Sequence, residues 1–99
     1  MILITRTPNS ITVKGHANFA RHGKDIVCAS VSTLTQTLIA SLEELTEDTF
    51  SYDLEAGNVN IVLEEDLSED AQLLVKSFFI GVNGVAAAYP RHVKVLTQP

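Results

Sequence analysis

Apolar and polar residues alternate over Met1–Arg6 and again over Ile11–His16, with the turn-forming cluster Pro8-Asn9-Ser10 between them. The pattern predicts two strands joined by a tight connection. In the second, Ile11 and Val13 share one face while Thr12, Lys14 and His16 share the other, so His16 is expected to emerge away from the apolar face. Residues 18–24 have no period and include Gly23, the mark of a loop. Val27, Val31, Leu34, Leu38, Leu42 and Leu45 then recur at spacings of three and four, predicting a helix from Asp25 or Ile26 to about Leu45. Asp25 suits its N-cap, and Cys28 falls about 100° round the helix from Val27, at the edge of the buried stripe.

Phe50–Glu55 and Val59–Glu64 alternate about Ala56-Gly57-Asn58 and read as a hairpin, with Phe50, Tyr52, Leu54, Val59, Ile61 and Leu63 inward. Ser68 caps a second helix, whose stripe is Ala71, Leu74, Val75, Phe78, Val82, Val85 and Ala86. Pro90 stops it, and His92–Thr97 fits a last strand. The order ββαββαβ implies one α+β domain, two helices packed on a mixed or antiparallel sheet. Its two ββα halves have the form of a repeat, but their residues do not match.

Ninety-nine residues with 45% hydrophobic content suffice for one core and not two. No run approaches the roughly 18 continuous apolar residues of a membrane span, and the N-terminus lacks a secretion-signal layout. A single cysteine cannot form an internal disulfide, and a cytoplasmic location is expected. The net charge of −5 argues against direct nucleic-acid binding, which needs clustered Lys and Arg. The acids fall in two groups, Glu43, Glu44, Glu47 and Asp48, then Glu64, Glu65, Asp66, Glu69 and Asp70. They are either solvated faces or a surface that attracts a basic partner.

Within this frame Cys28 is the residue with chemistry to offer. A thiol at a helix start meets the positive end of the backbone dipole and a row of amide donors, which favour the thiolate. His16, twelve residues earlier, is a candidate base, and amides of the helix start, Cys28's own included, are candidate oxyanion donors. His22 is a nearer base by sequence, though a loop residue. His92 reads as a surface or packing histidine. A buried structural thiol is the alternative throughout. No ligand pair has structural zinc spacing, no phosphate-binding glycine pattern is present, and no cofactor is expected.

Gly15-His16-Ala17 followed by Gly23-x-Asp25-Ile26-Val27-Cys28-Ala29-x-Val31-Ser32 closely resembles the bacterial ribosomal-processing cysteine protease family. Ala71-Gln72-Leu73-Leu74, Phe79-Ile80-Gly81 and Tyr89-Pro90 with Val93 extend the likeness over nearly the whole chain. The resemblance implies a homodimeric Cys/His peptidase of Firmicutes and their relatives. Its substrate is the precursor of a basic large-subunit ribosomal protein, the twenty-seventh, whose N-terminal extension it removes for ribosome assembly. Cys28 matches the nucleophile and His16 the general base, whereas His22 falls at a variable position. Asp25, as cap or as orienter of His16, and Ser32, as a packing or hydrogen-bonding residue beneath the thiol, match recurrent motif positions. Gly15 and Gly23 would let the 17–24 loop flex over the site. The rival reading is a non-catalytic ribosome-associated assembly factor, and a third is a structural dimer with no site.

Overall fold

The computed structural model describes residues 1–21 and 23–99. Five strands and two helices follow in the order β1 (Ile2–Thr7), β2 (Ser10–Lys14), α1 (Ile26–Leu45), β3 (Phe50–Glu55), β4 (Asn58–Leu63), α2 (Glu69–Ala88) and β5 (Val93–Thr97). The strands form one mixed sheet in the order β3-β4-β2-β1-β5, antiparallel except where β1 and β5 run side by side in the same direction.

Register decides which face is covered. Ile4 lies opposite Val13, Ile11 opposite Ile61, Val13 opposite Val59 and Ile2 opposite Val93. These residues share one pleat face and are all buried, whereas Leu3 and Val62 on the other face are exposed. Both helices therefore cover one side of the sheet, giving two layers around a single core. Where α1 meets α2, the missing side chain of Gly81 makes room for Leu34, whose Cδ2 would lie 3.0 Å from a Cβ there. By length and composition each helix is apolar enough to cross a membrane. Here their buried stripes join the core of the sheet.

The α+β order read from the sequence holds, with local differences. β2 ends at Lys14, short of His16, because Gly15 leaves the extended region at φ 95°. In α1, Thr35 and Ile39 are buried, while Leu45 is exposed at the last turn. Thr35 tolerates burial by donating its hydroxyl to the Val31 carbonyl at 2.8 Å. Tyr52 and Leu54 have the predicted parity, opposite Ile61 and Val59, but are 43% and 51% exposed. They lie on the edge strand β3, beyond full cover from the helices.

Candidate active site

Asp25 organises the start of α1. One carboxylate oxygen accepts the Val27 and Cys28 amides at 3.0 and 2.9 Å, the N-cap arrangement expected of it. The other accepts the amides of Phe19 and Ala20 at 3.0 and 3.4 Å. One side chain thus fastens the loop to the helix that carries the thiol. Of its two expected roles, capping is observed; its partners are backbone amides, and His16 is not among them. The Cys28 amide foremost, then those of Ala20, Phe19 and Val27, hold the carboxyl below its ordinary value against the opposing effect of desolvation. The Cys28 and Val27 amides, expected as oxyanion donors, are thereby already engaged.

His16 does not emerge on the polar face of β2, as strict alternation required. The break is Gly15. A Cβ at that residue would run into the Met1 carbonyl, and its φ of 95° suits only glycine, so the chain turns where a strand would have continued. The Gly15 amide donates to the Gly57 carbonyl at 2.9 Å, fixing this turn to the β3–β4 hairpin. Gly57, at φ 73°, then lies directly against the imidazole: a Cβ there would be 2.6 Å from His16 Nε2. The hairpin tip is a shelf for the ring.

The residue after His16 closes the arrangement. Ala17 is buried, and its amide donates to Cys28 Sγ at 3.3 Å. This bond joins residues eleven apart in sequence and brings the His16 backbone alongside the start of α1. His16 is exposed and Cys28 half-buried, and both line a cleft of about 600 Å³ between α1 and the β3–β4 hairpin. Such a cleft is large enough for several residues of peptide. Gly15, Asp25 and Ser32 line it as well. Ser32 is an exposed part of the cleft wall one turn after Cys28.

His22 lies outside the described residues. His92 is more than a packing residue: its Nδ1 pairs with the Ala17 carbonyl at 2.9 Å, and Phe19 stands edge-on to its ring at 5.3 Å. Sequence reading also passed over Gly57, Leu54 and Gln36, which line the cleft from two elements. A glycine in a hairpin turn was recognisable, but its contact with a histidine beyond the end of β2 carried no local signal. Among the described residues no three His, Cys, Asp or Glu side chains cluster to hold a metal ion. A thiol and an imidazole beside one cleft can perform acyl transfer, the thiolate attacking a carbonyl and the imidazole moving the protons.

Comparison with known proteins bears on that chemistry. The family model of cysteine protease Prp matches residues 2–94. The ribosomal processing cysteine protease Prp of Bacillus subtilis is 28% identical over 95 residues, spanning 90% of this chain and 85% of that protein. The Mycoplasma genitalium protein of the same name is also 28% identical, over 99 residues, spanning 96% and 94%. The crystal structure of Prp from S. aureus with a covalently linked product peptide superposes with a TM-score of 0.94, covering 99% of this chain and 100% of that one. Its sequence identity is 20%, so this likeness speaks to the fold.

Proposed function

The chain belongs to the Prp family of cysteine proteases, and from that premise we propose that it is a ribosomal-processing endopeptidase with a Cys28/His16 dyad. His16 takes the Cys28 proton, the thiolate attacks the scissile carbonyl, and His16 protonates the departing amine. Water then attacks the thioester, with His16 as base, and releases the second product. The observation that carries this reading is the Ala17 amide on Cys28 Sγ at 3.3 Å, which brings the two motifs to one cleft wall.

The substrate we assign is the precursor of the twenty-seventh large-subunit ribosomal protein, whose N-terminal extension is removed in the cytoplasm by a homodimer. The names of the B. subtilis and M. genitalium relatives support a ribosomal substrate, and the net charge of −5 suits a basic one. Uncovered Tyr52 and Leu54 on the edge strand offer apolar surface for self-association.

The test is incubation of that precursor with the purified protein, the cut mapped by mass spectrometry. Wild type should release one N-terminal fragment, and Cys28→Ala and His16→Ala should release none while melting as cooperatively as wild type. Cleavage by Cys28→Ala at the wild-type rate would overturn the dyad. An intact precursor after exposure to active enzyme would overturn the substrate.

A further inference from the structure

We infer that His92 is a positioning residue for the nucleophile: through the Ala17 peptide it holds the amide that contacts Cys28 Sγ. Ala17 is 2% exposed, so its carbonyl needs a partner within the protein. That partner is His92 Nδ1 at 2.9 Å, 75 residues away in sequence. A carbonyl only accepts, so Nδ1 carries the proton and donates. Ala17 is thereby held at both ends, its amide on the thiol sulfur and its carbonyl on the imidazole. His16 is its immediate neighbour, so any shift of Ala17 moves the base and the sulfur contact together.

His92 is well placed to act as a fixed post. Its amide donates to the Tyr89 carbonyl at 2.9 Å, at the turn that ends α2. Its carbonyl accepts the Ile2 amide at 2.8 Å, at the start of β1. Phe19, in the loop over the site, sets its ring edge-on to both His92 and Tyr89, each at 5.3 Å. The post thus joins the sheet and the end of α2 to the first residues of the loop.

The role rests on the proposed dyad only for its catalytic consequence; the thiol contact can be tested without a substrate. Two substitutions separate hydrogen bond from packing. His92→Asn keeps a donor near the Nδ1 position, while His92→Phe keeps the ring against Phe19 and removes the donor. The first readout is the second-order rate constant for iodoacetamide with Cys28 in folded protein, which a purely structural role would leave unchanged. His92→Phe should change that constant about tenfold, the weight of one hydrogen bond, and His92→Asn should stay near wild type. Peptide cleavage should follow, with kcat falling and KM nearly constant.

Wild-type alkylation in folded His92→Phe would overturn the inference. If His92→Phe does not fold, His92→Leu, which also lacks the donor, decides: a tenfold change supports the hydrogen bond, and wild-type alkylation contradicts it. Failure of wild type to cleave any precursor would count against the proposed activity and leave the alkylation result standing.

Discussion

Replacing Gly57 with alanine tests whether the His16 ring must lie where the hairpin tip holds it. The new Cβ would stand 2.6 Å from Nε2, against about 3.4 Å where ordinary contact begins, so the imidazole has to retreat by about 0.8 Å. The ring is the end of an exposed side chain, and swinging it aside costs the fold little. The cost falls on catalysis, where a misplacement near 1 Å can lower the rate by ~10²-fold. Gly57→Ala should therefore reduce kcat/KM by about 10- to 100-fold. A separate penalty comes from φ 73°, where a Cβ costs roughly 1–2 kcal/mol. In a domain of this size that lowers the melting temperature by about 4–8 °C per kcal/mol. Gly57→Asn separates the two effects, because asparagine tolerates this backbone region yet carries the same Cβ. It should recover most of the stability and none of the activity. Precursor cleavage under kcat/KM conditions, beside thermal melts of all three proteins, makes the comparison. Wild-type kcat/KM in both variants would show that catalysis does not need the ring on that shelf.

Three further outcomes follow from other parts of the molecule. The Asp25 carboxyl titrates below its ordinary value of 3.8, so the folded state binds fewer protons than the unfolded state as pH falls through that range. Its stabilisation is complete above pH 3.8 and fades as pH drops toward the lower folded value. Asp25→Asn should therefore destabilise the protein at pH 7 in urea melts, with the gap to wild type closing below pH 3.8; a constant gap would refute the assignment. Arg6 shares the core face of β1 with Ile4, and its Nη1 is buried without a hydrogen-bond partner among the described residues. Arg6→Met should hold or raise stability, by up to about 1 kcal/mol, and a loss of that size would mean the guanidinium is satisfied in solution. If the acidic surface draws in a basic precursor, raising salt from about 20 to about 500 mM should lower kcat/KM several-fold with kcat unchanged. A flat response would remove steering.

Much of the fold was readable because both helices and the inner strands bury one face each. Alternation marked the strands, three-and-four spacing marked the helices, and Asp25 and Ser68 supplied N-caps that the structure uses. Local patterns could not show how far the helices reach across the sheet, so Tyr52 and Leu54 had the right parity but no cover. The direction of His16 was misread because one glycine at φ 95° ends the alternation before it reaches the histidine. His92 and Gly57 entered late for the same reason: each acts on the cleft through a contact distant in sequence. Tertiary geometry alone brings the Ala17 carbonyl to one and the His16 ring to the other.

Cys28 is the only cysteine in the chain, so a thiol label reports on it without ambiguity. Limited treatment with iodoacetamide at neutral pH, followed by intact-mass determination of the labelled fraction and a precursor-cleavage assay on the same sample, addresses the nucleophile directly. Activity should fall one for one with the labelled fraction and vanish at full labelling. Protein fully alkylated at Cys28 that still cuts the precursor at the wild-type rate would contradict a catalytic thiol.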